Sequence, residues 1–390
     1  MTERLYYRDA TLLDFQANVM EHVGDAQHVV LDRTAFYPTS GGQLHDIGGL
    51  GAARVIDVID AAERIIHVTS APVPLGPVRG AVDAVRRRDH MQQHSAQHLL
   101  SALAADHLKW ETVSVHFGAE HSTIEFATAS ISDRQLTELE RWANDVVAEA
   151  RAVTVSFEDA AAADQAGLRK TSGRTGEIRV VTITDIDRSA CGGTHVSRTS
   201  EIGSVLLLGV ESVRGNSRVG FLAGERVLTR ARACDSTLTA LARELGCAVG
   251  DLETLVPARQ LESKVTREQV VKLEQEVAVS RVRALYQATA PGTDGVRRIA
   301  HRGQEESAAL LRAMVQATVP LERALLVVIG RSPPAIYVAT SNDSGIDAGA
   351  RLKPALATVG GRGGGSPRVA QGTAASGEAL DQVAAQVLNA

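Results

Sequence analysis

Cys191-Gly192-Gly193-Thr194-His195 is the stretch that decides how this chain is read, and it is answered nearly a hundred residues earlier by His94-Ser95-Ala96-Gln97-His98. On a helix, residues four apart lie on one face with their side chains pointing the same way, so His94 and His98 can bite a single ion. That pair alone says little. The chain has 12 histidines, so one such spacing by chance is unsurprising, and His90 extends the same stripe by another turn. Cys191 with His195 sharpens the case, because thiolate and imidazole together select zinc among the common cellular metals. The two glycines between them let the backbone fold tightly around an ion. His94, His98, Cys191 and His195 are therefore the candidate ligands, and Zn2+ the candidate cofactor.

Working outward, His94 and His98 sit in a segment, Arg86 to His107, that reads as a helix with Leu99, Leu100 and Leu103 on an apolar stripe. The strands Val113 to Phe117 and Ser122 to Phe126 follow as a hairpin. Ser132-Asp133 caps a helix from about Arg134 to Ala150, and strands return at Val153 to Phe157 and Ile178 to Ile183. Cys191 then falls just after a strand, in a glycine-rich turn. Ser204 to Glu211 and Arg218 to Leu222 close this α+β unit, residues 86–223.

Before it, residues 1–85 read as a small β domain, barrel-like, from short β-branched runs at Val29 to Leu31, Ala53 to Ile59, Arg64 to Val68 and Val78 to Val82. After it, residues 224–290 turn helical. The run Val271, Leu273, Val277, Val282, Leu285 keeps no clean heptad, so a coiled coil and an arm packed on its own domain both stay open. Pro291 to Gly295 reads as a linker. Residues 296–390 suggest a compact α/β module: strand Val296 to Ala300, helix Glu305 to Ala317, strands Ala324 to Ile329 and Ala335 to Thr340, and further helices. This module carries a second unusual feature, the glycine-rich loop Gly360 to Gly365. The fold class expected is α+β.

Composition mainly excludes. With 44% hydrophobic and 22% charged residues over 390 positions, the chain can bury two or three cores, and 3% aromatics leave little for base stacking. The 3 cysteines make no disulfide framework, and the start Met1-Thr2-Glu3-Arg4-Leu5 is no signal peptide, so a cytoplasmic protein is expected. No apolar run approaches the roughly 18 residues that span a bilayer. The net charge of −5 is uneven: from Val296 onward, ten Arg or Lys face seven Asp or Glu, so that region is +3 and residues 1–295 are −8. The basic excess permits phosphate contacts there without requiring them.

The order of several motifs resembles a known family. Leu31-Asp32-Arg33-Thr34-Ala35-Phe36-Tyr37-Pro38, Ser40-Gly41-Gly42-Gln43, the block His90 to Leu100, Cys191 to Val196, Glu201-Ile202-Gly203, and the glycine loop with Ala370-Gln371-Gly372 together look like a free-standing alanyl-tRNA editing protein of the long type. That family is related to the editing and C-terminal domains of alanyl-tRNA synthetase. The synthetase's aminoacylation and anticodon-recognition regions would be missing, since the editing-like segment starts at the N-terminus. The departures are mild: Glu125 stands where Asp is expected, and Ser40 where Gly is frequent.

The resemblance implies a zinc-dependent aminoacyl-tRNA hydrolase that cleaves seryl-tRNA(Ala), and glycyl-tRNA(Ala) as a further substrate, to free amino acid and tRNA. It implies that His94, His98, Cys191 and His195 hold zinc, that Gln43 positions water or the ester, and that Thr34 contacts the amino acid's hydroxyl. Gly41 and Gly42 would let the backbone approach the substrate, with Ser40 and His116 beside it. Lys353, Arg362 and Arg368 around the glycine loop are candidate phosphate contacts. Four protein ligands describe a closed, structural zinc, whereas catalytic zinc keeps a position for water. The ion would become five-coordinate, or hold one ligand loosely, or only order the tRNA end while Gln43 and backbone groups handle the water.

Blander readings stand beside these. His90, His107, His116 and His121 read as ordinary histidines, Gln43 as a turn cap, Thr34 as a strand residue packing by its methyl group, and the glycines as a flexible linker. Cys234 and Cys247 lack metal spacing and read as small buried side chains. Two other functions are compatible with the motifs: an aminoacyl-tRNA-dependent transferase passing the acyl group to a small nucleophile, and a non-catalytic, zinc-stabilised tRNA-binding module. A homodimer through the helical segment or the C-terminal module is left open.

Overall fold

Along Asp14–Val23, buried Phe15, Ala17 and Val19 alternate with exposed neighbours, the period-two pattern of a strand with one face on a core. In the computed structural model, which describes residues 1–304, 306–331 and 334–390, this strand opens a closed barrel. Around the barrel come Asp14–Val23, Asp25–Leu31, Arg64–Thr69, Ala53–Ala61, Gly48–Leu50 and Gly76–Val82, and the last pairs back with the first. Phe15, Leu31, Phe36, Leu50, Val58 and Ile65 fill it. The β-branched runs read from sequence all lie in these strands. Asp14–Val23 and Gly48–Leu50 do not stand out in sequence, because the first is polar at half its positions and the second is short and glycine-rich.

The chain divides into two compact units, Met1–Leu241 and Ala242–Ala390. In the first, helix α1 (Ala84–Leu108) follows the barrel. Asp83 caps it by accepting from the Arg86 backbone N–H, and Lys109 in the left-handed region ends it. Residues 90–104 of α1 are buried on every side, which is why no single polar face is visible in its sequence. One neighbour is the four-stranded sheet ordered Val205–Val213, Asn216–Ala223, Ser122–Phe126, Thr112–Phe117. Helix α2 (Asp133–Ala148), with a complete Ser132/Gln135 capping box, packs Leu139, Ala143 and Val146 into the same core. A three-stranded sheet, Val153–Asp159, Glu177–Ile183 and Asp187–Ala190, delivers the chain to Cys191. A short helix α3 (Ala160–Gln165) packs on it, and helix α4 (Glu225–Leu245) follows the last strand of the four-stranded sheet.

In the second unit, helix α5 (Leu252–Ala288) buries Ala278 and Val282 against Leu311, Met314 and Val315, the last three from helix α6 (Ala308–Thr318). The C-terminal part of α5 is thus an arm packed on its own unit, while Leu261, Val265, Val270, Leu273 and Val277 stay exposed. Glu305, read from sequence as the start of α6, lies outside the described residues. A five-stranded sheet, ordered Arg297–Arg302, Ala324–Arg331, Pro334–Thr340, Val369–Thr373, Arg362–Gly365, carries helices α7 (Ala348–Ala357) and α8 (Gly377–Asn389).

Two expectations are corrected. Most of the glycine run is no loop: after a turn at Gly360, Arg362–Gly365 is an edge strand paired antiparallel with Val369–Thr373. A Cβ at Gly363 would fall 2.4 Å from the Gln371 carbonyl oxygen and 2.6 Å from Leu356 Cδ1, so close packing against α7 accounts for the glycine. Cys234 is not buried but exposed on α4. Among the described residues no helix is long and apolar enough to cross a membrane.

Candidate metal centre

His94 and His98 project from α1 toward Cys191 and His195, and one donor atom from each of the four lies within 4.8 Å of the others. The Nε2 atoms of His94 and His195 each stand 3.4 Å from Cys191 Sγ. The outer nitrogens are all engaged. His94 Nδ1 bonds Gln43 Oε1 at 2.8 Å, His98 Nδ1 bonds Asp187 Oδ2 at 2.8 Å, and His195 Nδ1 bonds Ser95 Oγ at 3.2 Å. With Nδ1 donating outward, each ring, once neutral, has its Nε2 lone pair facing inward, the tautomer a metal-ligating imidazole needs. Burial alone would raise the Cys191 thiol, but positive charge on the two imidazoles at its sulfur, and their hydrogen bonds to it, outweigh that and lower it well below its usual range. Three imidazoles and a thiolate, buried and oriented by outer partners, fit zinc in charge, softness and number.

The supports come from well-separated places in the chain. Asp187 would be raised by burial, yet its hydrogen bond from His98 and the charges of His98 and Arg169 bring it down to about 2. Arg169 Nε reaches Asp187 Oδ1 at 2.7 Å. Gln43 is 1% exposed: its Oε1 also accepts from the Thr194 N–H and its Nε2 donates to Thr194 Oγ1 at 2.9 Å. Gln43 reaches this point because Ser40 and Gln43 close a tight turn around Gly41 (φ 57°) and Gly42 (φ 84°), a left-handed conformation glycine adopts freely. Buried Arg87 of α1 clamps the same segment through Asp46 and the Ala35 carbonyl. Gly193 passes so near the cluster that a Cβ there would fall 2.1 Å from His94 Cε1.

The other sequence candidates are placed differently. Thr34 is buried among the N-terminal strands, its Oγ1 2.8 Å from His67 Nε2 and accepting from the Phe36 N–H. Ser40 is exposed at the turn, its carbonyl accepting from Tyr37 Oη. His116 is exposed and lines a groove on the four-stranded sheet with His121 and Arg218. In the second unit, Lys353 on α7 and Arg362 on the edge strand are exposed, while Arg368 donates to the Ser341 carbonyl. No hydrogen bond or ion pair joins these three among the described residues. Sequence reasoning missed Asp187, Ser95, Arg169 and Thr194. Ser95 and Thr194 lie inside the two motifs and so were within reach, whereas nothing local marks Asp187 or Arg169.

Residues 178–219, which include Cys191 and His195, match the family described as the threonyl and alanyl tRNA synthetase second additional domain. A bovine protein named alanyl-tRNA editing protein Aarsd1 is 33% identical over 308 residues, covering 77% of this chain and 68% of that one. The chain belongs to the alanyl-tRNA editing protein family. Its likeness extends to the alanine–tRNA ligase of Halorubrum lacusprofundi, 32% identical over 400 residues, covering 97% of this chain and 43% of the ligase. Among solved structures, the C-Ala domain of the Aquifex aeolicus alanyl-tRNA synthetase aligns with 26% of this chain and 96% of its own length. At 15% identity and a TM-score of 0.21, that likeness carries no argument. In this editing-family chain, the matched residues 178–219 include two of the four converging donors, Cys191 and His195.

Proposed function

We propose that this chain is a trans-editing deacylase that hydrolyses seryl-tRNA(Ala), and glycyl-tRNA(Ala) as a second substrate, to free amino acid and tRNA. The observation that carries the reading is the convergence of His94, His98, Cys191 and His195, each histidine oriented by an outer partner, in a member of the alanyl-tRNA editing family. In this reading residues 86–223 do the chemistry, and residues 296–390, with Lys353, Arg362 and Arg368, contact tRNA.

The four residues would hold zinc, which when bound supplies positive charge that polarises an ester carbonyl or acidifies a nearby water. The chain's own groups do the rest. Gln43 keeps the His94 Nδ1 proton outward and fixes Thr194, so the ring and the Cys191–His195 turn are set before substrate arrives. Asp187 and Ser95 do the same for His98 and His195. Such preorganisation matters because an aminoacyl ester is already activated, and catalysis then rests on placing water, carbonyl and leaving ribose together.

The test is release of free amino acid from seryl-, glycyl- and alanyl-tRNA(Ala), with and without chelator. Serine release that stops on metal removal, with alanine retained on its tRNA, is expected. Release only with an added amine acceptor would make the chain a transferase. Tight tRNA binding with no release from any substrate would make it a binding module.

A further inference from the structure

His90 lies one turn before His94 on the same face of α1, about 6 Å along the helix axis. It is 6% exposed, and its Nδ1 is buried with no hydrogen-bond partner in the protein. A buried ring nitrogen without a partner costs about 1–3 kcal/mol, so it calls for an explanation. This nitrogen differs from those of the three ligand histidines, whose Nδ1 atoms are all engaged.

The ring borders a cleft formed with Gln43, Gln93, Phe117, Gly118 and Arg226. Its volume is about 10 Å3, room for about one water. The cleft is firmly walled. Arg226 forms a two-pronged pair with Asp89 at 2.7 Å on both oxygens and donates to the Gly118 carbonyl, and Gln93 bridges both backbone groups of Ala223. Gln43 belongs to both places: one face of its amide closes on His94, and its side chain lines the cleft. Burial, joined by the Arg86 charge, holds the His90 ring at about 4, so it is neutral at pH 7 and keeps a lone pair.

We propose that His90 is a further catalytic residue, its Nδ1 holding the attacking water in the cleft it shares with Gln43. This rests on the deacylase reading above. With the ring proton on Nε2, Nδ1 accepts a hydrogen bond from the water. As the water oxygen bonds to the ester carbonyl carbon, one water proton passes to Nδ1. As the bond from that carbon to the ribose oxygen breaks, the proton goes on to the departing oxygen. The second water proton leaves with the carboxyl group, which ionises to solvent, so ester and water become amino acid and tRNA.

The experiment compares His90→Ala and His90→Asn with the native full-length chain. It reads single-turnover serine release from seryl-tRNA(Ala), tRNA affinity, bound metal and melting temperature. Asn places an oxygen near the position of Nδ1, so it keeps the acceptor without the base. Expected are a loss of about a hundredfold or more in the Ala variant, at least tenfold recovery in the Asn variant, and unchanged metal content and tRNA affinity in both. An Ala variant within threefold of the native rate would overturn the proposal. So would metal loss or unfolding in both variants, which would make His90 a structural residue. A native chain that releases no serine overturns the deacylase reading itself, a result separate from either of these.

Discussion

At the scale of single residues, the centre depends on an atom that is missing. Gly193 lets the Cys191–His195 turn press against the His94 ring, and a methyl group there would meet ring atoms at 2.1 and 2.3 Å. Gly193→Ala is therefore expected to push His94 off Gln43 and out of the cluster. The chain should fold, yet lose bound metal on dialysis and with it deacylation, which elemental analysis beside the tRNA assay will measure. Gly192→Ala is the milder change, since its Cβ would meet the Tyr7 ring no nearer than 3.4 Å, at Oη. His67 supplies a second prediction at this scale. Burial lowers it to about 4, against about 6.5 in the unfolded chain, so between these values the unfolded state takes up a proton that the folded state refuses. The stability this neutral ring contributes is whole above pH ~6.5 and drains away as pH falls toward 4, by up to ~3 kcal/mol. His67→Gln should remove up to about one proton from the pH dependence of unfolding in that window, read from melting curves at stepped pH.

At the scale of elements, how far sequence reading succeeded follows from where each signal comes from. Helix α1 was legible because Leu99, Leu100 and Leu103 mark an apolar stripe, and the 112–126 hairpin because β-branched residues cluster there. The four donors were legible because their spacing is local: four along a helix, four around a turn. Their supports were not, since Asp187 reaches His98 across 89 residues of sequence and Arg169 reaches Asp187 from a loop with no regular pattern. The glycine run misled for a related reason. Glycine in sequence suggests freedom, but Gly363 and Gly372 are small so that α7 can bring Leu356 against the strand pair, and only the packed structure shows that demand. Thr34 shows the limit of a motif in another way: its hydroxyl closes on His67, a residue no spacing tied to it.

At the scale of the whole molecule, two units each carry their own apolar cores, and the donor cluster belongs wholly to the first. A ligand that binds only the folded form stabilises the unit that holds it. Chelation should therefore lower the melting temperature of the first unit by several degrees and leave that of the second unchanged, which calorimetry resolves as one moving and one fixed transition. Equal displacement of both transitions, or of neither, would count against a metal in the first unit.

The two halves of the centre stand 97 positions apart, from His94 to Cys191, and this separation reaches back to synthesis. At about 5–20 residues per second, a nascent chain would present the histidine pair for some 5–20 seconds before its thiolate exists. Two imidazoles on a young helix are an undiscriminating trap, and copper would win it on affinity alone. Selection of a tetrahedral, thiolate-loving ion must then wait for the second half to arrive. If the site takes zinc as proposed, metal choice would be a proofreading step carried out by folding itself, and starving cells of zinc during synthesis should yield wrongly loaded protein where later starvation does not.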